Sequence, residues 1–288
     1  MKVGVVDIGT NSMRMLITDG QVDVGRWEEV TGLGRGVDRH AVLSEAAIAQ
    51  TVVALAGFGE IMDHEGVGGR AAMATSAARD SANREAFFDR AETALGVRPR
   101  LISGAEEARY AYAGATSAWD GLRPWVVSDI GGGSTEIVTG DSETSVDVGS
   151  VRVTERWFAE RPVSPDRLGV ARAEVRSMLQ DVDVPRVGSL LGVGGTWTEM
   201  GGLIGGASRD VDLAMVTVTE VEELVTTLAA MTVEQTAQSP TLNPKRAETI
   251  LGGAVVAEAV MTTLGAETAT QSVADTLDGL AMELLAVI

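Results

Sequence analysis

Two short loops carry the residues best suited to chemistry. Asp7-Ile8-Gly9-Thr10-Asn11-Ser12 and Asp129-Ile130-Gly131-Gly132-Gly133-Ser134 share one plan, an Asp closing an apolar run and then glycine, hydroxyl and amide residues. Glycine permits positive φ and close approach, so successive backbone N–H groups can converge on one anion. Thr10, Asn11, Ser12, Ser134 and Thr135 add side-chain donors. A carboxylate at the head of an anion loop makes sense if a divalent cation, or its water, stands between Asp7 or Asp129 and a phosphate oxygen. One such loop alone reads equally well as a tight hairpin. Two matched loops point to a two-sided grip on a phosphate chain. The implied chemistry is phosphoryl transfer, which asks of a protein mainly positioning and charge neutralisation.

Other chemistries fall away by composition. The chain has no Cys, which removes disulfides, zinc–thiolate sites and thiol nucleophiles. His40 and His64 sit among acidic residues with no metal-ligand spacing and read as surface groups in loops. Ser134 lacks the strand-to-helix elbow of a serine hydrolase nucleophile. A formal net charge of −18 repels nucleic acid and anionic membrane, so neither is expected as a partner. It also opposes a polyanionic substrate, except that Lys2 and Lys245 are the only lysines and the other basic residues are arginines. Arginine presents a planar fork matched to phosphate oxygens. The opening MKVGVVD runs straight into strand-like sequence, and the longest apolar stretch, 250–265, is interrupted by Glu258. A cytoplasmic protein without a leader or membrane span is the expectation.

The elements that must position the loops recur in two halves. Strand-like runs at 2–7, 13–18 and 21–30 precede a helix capped by Ser44, with Ile48, Val52, Leu55, Gly59 and Met62 on one face. A strand at 70–74, a helix at 81–95, a strand at 97–102 and a helix opened by the Ser103/Glu106 capping box follow. After Asp120-Gly121 the pattern restarts, with strands at 125–129, 135–140 and 145–148 and helices at 151–159 and 166–179. A strand at 189–193 then runs into a Gly-rich turn. Thr219 with Glu222 is read as the cap of the next helix, Pro244 as the start of one reaching 264, 268–272 as a strand and 275–287 as the terminal helix. Each Gly-rich loop joins strand to strand, which separates both from dinucleotide fingerprints and Walker loops.

These residues resemble the Ppx/GppA family, the exopolyphosphatases and guanosine pentaphosphate phosphatases. The matching stretches are DIGTNSMR ending at Arg14, ATSAARDSAN ending at Asn83, ISGAEEAR ending at Arg109, DIGGGSTE ending at Glu136, VRVTER ending at Arg156, GVGGT ending at Thr196 and NPKRAETILGG ending at Gly253. They span nearly the whole chain in the family's order. The resemblance implies an α/β fold of duplicated actin-like (ribonuclease H-like) βββαβαβα domains with the active cleft between them. The first would cover 1–121, with the helix near 275–288 packing back onto it, and the second 122–274. The chain resembles the short two-domain form, without the further helical domains of larger members.

The resemblance also assigns roles. Glu107 would be the catalytic base, orienting the attacking water and taking its proton. Asp129 and Glu136, with Asp7 through water, would hold Mg²⁺, with Mn²⁺ as the alternative. Asn11, Ser12, Arg14, Arg79, Gly131, Gly132, Gly133, Ser134, Thr135, Gly195, Thr196 and Arg246 would bind the phosphate chain. The implied activity is an exopolyphosphatase that releases phosphate from the ends of inorganic polyphosphate. Guanosine pentaphosphate (pppGpp) hydrolysis at the 5′ end is the alternative. A kinase of the same superfold and a non-catalytic polyphosphate sensor are more distant. A homodimer, and closure about hinges near 119–123 and before the terminal helix, are further expectations.

Overall fold

The computed structural model describes residues 1–117, 126–184, 186–206 and 214–288. The chain forms two compact units, one of Met1–Gly114 with Asp275–Ile288 and one of Ala115–Ala274. The hinge expected at 119–123 and the start of the strand expected at 125–129 lie outside the described residues.

The first unit runs β1 (Val3–Ile8), β2 (Ser12–Thr18), β3 (Asp23–Val30), α1 (Val37–His40), α2 (Glu45–His64), β4 (Gly69–Ala74), α3 (Ser76–Arg79), α4 (Arg84–Leu95), β5 (Arg100–Leu101) and α5 (Gly104–Ser117). Its sheet order is β3-β2-β1-β4-β5, antiparallel through β1 and parallel beyond it. The second unit runs β6 (Val127–Ile130), β7 (Thr135–Val138), β8 (Glu143–Val146), α6 (Ser150–Trp157), α7 (Pro165–Met178), β9 (Ser189–Val193), α8 (Gly194–Gly205), β10 (Met215–Thr217), α9 (Val218–Ala230), α10 (Val233–Ala237), α11 (Ile250–Leu264) and β11 (Thr268–Gln271). Read from its β8 edge the order is β8-β7-β6-β9-β11-β10. The first five positions repeat the first unit's order and strand directions, and β10 adds one antiparallel edge strand. The duplication anticipated from the loops is thus a duplication of sheet topology. The terminal helix α12 (Thr276–Val287) returns to the first unit.

Coverage on both faces explains why β1 reads as an unbroken apolar run: all six residues are buried. Val6 and Ile8 meet Leu55, Phe58 and Met62 of α2 and Phe87 and Leu95 of α4 in one cluster. Val3 and Val5 face the other way, into a cluster with Tyr110 of α5 and Leu277 and Leu280 of α12. Each such side chain contributes about 1.5–3 kcal/mol when fully buried. In the second unit α11 is apolar almost all round because it is the central helix of its core.

Several boundaries differ from the sequence reading. The helix expected at 81–95 begins at Arg84, after the separate short α3. The strand expected at 97–102 is only Arg100–Leu101. The capping box of α9 is Thr217 with Glu220, two residues earlier than Thr219 with Glu222. Both pairs fit the same spacing rule, and the one directly after β10 is used. Pro244–Arg246 is one 3-10 turn, and α11 starts only at Ile250. The Gly-rich segment after β9 is the first turn of α8. His40 and His64 are exposed as expected, but at helix ends. Among the described residues α2, rather than 250–265, is long and apolar enough to cross a membrane, and its buried stripe packs on the sheet.

Candidate active site

The two loops close with the same turn hydrogen bond. The Gly9 amide donates to the Ser12 carbonyl and the Gly131 amide to the Ser134 carbonyl, each at 3.0 Å. Each loop is braced from behind. The amides of Thr31, Gly32 and Gly34 donate to the carbonyls of Asn11 and Thr10, and those of Ser150 and Val151 to Gly131 and Gly132. Arg152 Nε donates to the Gly133 carbonyl at 2.6 Å, so this arginine fixes a loop. The braces draw on loop carbonyls and not on loop amides, as an anion site requires.

Four-residue turns also set what faces each loop Asp. Asp7 lies opposite Arg14 across β1 and β2, and Asp129 lies opposite Glu136 across β6 and β7. Directly opposed residues share a face of the sheet with Cβ atoms about 5 Å apart. The same register position therefore carries a cation in one unit and a second carboxylate in the other.

In the first unit Arg14 Nη2 donates to Asp7 Oδ2 at 2.8 Å, and its Nη1 donates to Asp275 at the start of α12. Arg14 is thus placed among carboxylates. Asn11 and Thr10 are buried within the turn. Glu107 sits in the first turn of α5, whose start is fixed by the expected box: Ser103 Oγ accepts the Glu106 amide at 3.2 Å and Glu106 Oε2 accepts the Ser103 amide at 2.9 Å. Arg79, at the end of α3, donates to Glu107 Oε2 at 2.7 Å and to the Ile102 carbonyl at 3.1 Å. Burial pushes the Glu107 carboxyl up to about 7, the Asp7 charge adds to this, and Arg79 and the Thr75 hydroxyl oppose it. A carboxyl poised near neutrality is matched to accepting a proton at physiological pH.

In the second unit Asp129 and Glu136 are both buried, and the Ser145 hydroxyl donates to Glu136 Oε1 at 2.7 Å. The first turn of α8 packs against the charged groups. Gly194 has φ 81°, and a Cβ there would stand 2.5 Å from Asp129 Oδ1. At Gly195 a Cβ would strike the Arg246 guanidinium. The segment expected as a Gly-rich turn is a glycine floor on which Asp129 and Arg246 lie. Glu199, in the second turn of α8 and almost fully buried, places Oε1 3.6 Å from Arg246 Nε and accepts the Asn243 amide at 3.0 Å through Oε2. Ser134 is buried in its turn. The Thr135 hydroxyl donates to the Val148 carbonyl at 2.6 Å and the Thr196 hydroxyl to the Ile130 carbonyl at 2.9 Å. Both donor protons, expected to serve substrate, hold the backbone instead.

The donor set fits a hard divalent cation. Asp129 and Glu136 offer oxygen ligands on one face, with a glycine where a side chain would crowd Asp129. Asp7 Oδ1 is buried and has no hydrogen-bond partner among the described residues. No group of three or more His, Cys, Asp or Glu stands ready as a closed cage among those residues. One or two carboxylates, with water and phosphate completing the shell, is the pattern of Mg²⁺-type ions. Asp275, Glu199 and Thr75 were not singled out from the sequence. Glu199 left a trace as the lone charge in the apolar stretch 194–205, and Asp275 as the head of a D-x-x-D cap.

Two units of 3-2-1-4-5 topology, each with a braced hairpin loop headed by Asp, define an actin-like α/β protein built to handle phosphate. The model of the Ppx/GppA phosphatase family matches residues 16–285, and the chain belongs to that family. It is 34% identical to exopolyphosphatase 2 of Mycobacterium tuberculosis, with 98% of each chain covered. Among solved structures, an exopolyphosphatase-like protein superposes with a TM-score of 0.93 at 31% identity, covering 98% of both chains. The Ppx/GppA family member of Aquifex aeolicus gives 0.81 at 26% identity, covering 100% of this chain and 98% of the other.

Proposed function

We propose that the protein is an exopolyphosphatase that hydrolyses terminal phosphoanhydride bonds of inorganic polyphosphate. The observation that carries this reading is Glu107: a buried carboxylate on a capped helix, held by Arg79 and raised to about 7. Family membership and the name of the 34% identical relative support the substrate class.

In this reading Glu107 accepts the proton of the attacking water, a contribution of roughly 10²–10⁴-fold for a positioned base. Arg79 spends Nη1 on Glu107 and offers its remaining nitrogens to the terminal phosphate. The amides of Gly132, Gly133 and Ser134 in the second unit would hold non-bridging oxygens, and in the first unit Asn11 and Ser12 are offered to phosphate in the same way. Arg246, fixed on Gly195 and beside Glu199, takes the next phosphate. Asp129 and Glu136 would hold a divalent cation such as Mg²⁺, and Asp7, in the first unit, would act on a hydrated cation through water. Such a cation would supply neutralisation of the charge that develops in phosphoryl transfer. A cytoplasmic location is proposed with it.

The test is phosphate release with Mg²⁺ from long polyphosphate, short polyphosphate and guanosine pentaphosphate, comparing wild type with Glu107→Gln. Release by wild type and none by a variant that still binds polyphosphate is the expected result. An inert wild type, or an equally active variant, sinks the assignment.

A further inference from the structure

Arg14 and Asp7 belong to a larger charged cluster whose third member comes from the far end of the chain. Asp275 is the N-cap residue of α12, and each of its oxygens is committed. Oδ1 accepts the Leu277 amide at 2.9 Å, and Oδ2 accepts Arg14 Nη1. Its own amide donates to Asp278 Oδ2 at 2.7 Å, and Asp278 is in turn bound by Arg26 Nη1 at 2.9 Å. A carboxylate held at both oxygens and through its backbone has one orientation. The side chains of Arg14, Asp7 and Asp275 are 17%, 11% and 7% exposed. Water therefore screens the cluster weakly, and direct partners decide where each charge points.

One guanidinium is shared between two carboxylates, so the cluster is net negative. Arginine forks prefer to bind both oxygens of one carboxylate. Here Arg14 reaches a single oxygen of Asp7, Oδ2, because its other arm is held by Asp275. Asp7 Oδ1 is left buried without a hydrogen-bond partner among the described residues.

We propose that Asp275 is a positioning residue for the reaction. By holding one arm of Arg14 it confines that arginine to Asp7 Oδ2 and keeps Asp7 Oδ1 for a hydrated divalent cation. Arg14 then serves the metal carboxylate, a different task from gripping phosphate. Without Asp275, the fork swings onto both Asp7 oxygens and closes the position. The inference rests on the metal-assisted reading above, and it makes Asp275 a residue that sits behind the metal carboxylate and governs metal affinity, as outer partners of metal ligands generally do.

Asp275 also caps a helix, so the variants must separate the two roles. Asp275→Asn keeps a good cap and the side-chain shape but removes the charge. Asp275→Ser keeps a cap and is too short to reach Arg14. Mn²⁺ binding is measured directly by electron paramagnetic resonance on wild type and both variants, alongside helix content and the urea midpoint. Both variants are expected to fold and to bind Mn²⁺ roughly tenfold more weakly. The metal concentration for half-maximal phosphate release should rise by the same factor, with KM for polyphosphate unchanged at saturating metal. Folded variants whose Mn²⁺ affinity lies within twofold of wild type overturn the proposal, as does a wild type that binds no Mn²⁺. A wild type that binds Mn²⁺ but releases no phosphate sinks the exopolyphosphatase reading alone.

Discussion

Replacing Glu107 with Gln should make the protein more stable while abolishing turnover, and the gain should depend on pH in a defined direction. In the folded protein the carboxyl is raised from 4.5 to about 7, chiefly by burial. In the unfolded chain it ionises near its ordinary value. Between these two values the folded state binds more protons than the unfolded state, so stability falls as pH rises. Below 4.5 the group costs nothing. Above 7 the full difference, about 3 kcal/mol at 1.36 kcal/mol per unit, weighs against the fold. Gln has no such titration, and its amide oxygen still accepts from Arg79. Measured by urea unfolding, the stability advantage of Glu107→Gln over wild type should grow by about 2.5 kcal/mol between pH 5 and pH 8. Below pH 7 the activity of wild type should decline as the base is protonated. Parallel stability profiles for the two proteins would refute the buried, raised carboxylate and, with it, the reason for assigning Glu107 as base.

Other perturbations follow from the same geometry. Ser103→Ala removes the cap of the turn that carries Glu107; it should cost about 1 kcal/mol in urea unfolding and lower kcat more than it changes KM. Gly194→Ala forces a side chain onto a backbone at φ 81° and against Asp129 Oδ1, and divalent-metal titrations of activity should show at least a tenfold weaker half-saturation. Glu199→Gln keeps an acceptor for the Asn243 amide but takes the charge from beside Arg246, so KM for polyphosphate should rise several-fold with kcat nearly preserved. Arg172 holds Glu258, the one carboxylate buried in α11, at 2.8 Å and opposes the upward push of burial on its carboxyl, so Arg172→Ala should destabilise by at most about 3 kcal/mol, and more as pH rises.

Much of the site was written in local pattern. The two Asp-headed loops, the strand-to-strand connection that follows each, and the Ser103/Glu106 box could all be read because a few neighbouring residues determine them. Asp129 and Glu136 came from the family resemblance, and the four-residue turn that places residues seven apart opposite each other supplies the physical reason they share a face. What escaped depends on contacts remote in sequence. The same arithmetic pairs Asp7 with Arg14, yet the arginine's second partner lies 261 residues away. Thr135 and Thr196 look like phosphate donors by type, but their protons go to the Val148 and Ile130 carbonyls of neighbouring segments. Local pattern also misled where two solutions overlap, as with Thr217/Glu220 and Thr219/Glu222, or where Gly194 and Gly195 suggested a loop but serve as the narrow first turn of a helix.

The chain leaves the first unit after Gly114 and returns at Asp275, and these two points touch: a Cβ on Gly114 would run into the Asp275 carbonyl. The second unit is therefore an insertion between two points, Gly114 and Asp275, that lie side by side in the first unit. Domains with adjacent termini can be excised, transplanted or permuted. A first unit rejoined directly from Gly114 to Asp275 would keep its five-stranded sheet and both helix layers, together with Glu107, Arg79, Asp7 and Arg14. On the proposed reading, the first unit would carry the proton acceptor and one loop, and the inserted unit the carboxylate pair for a divalent cation.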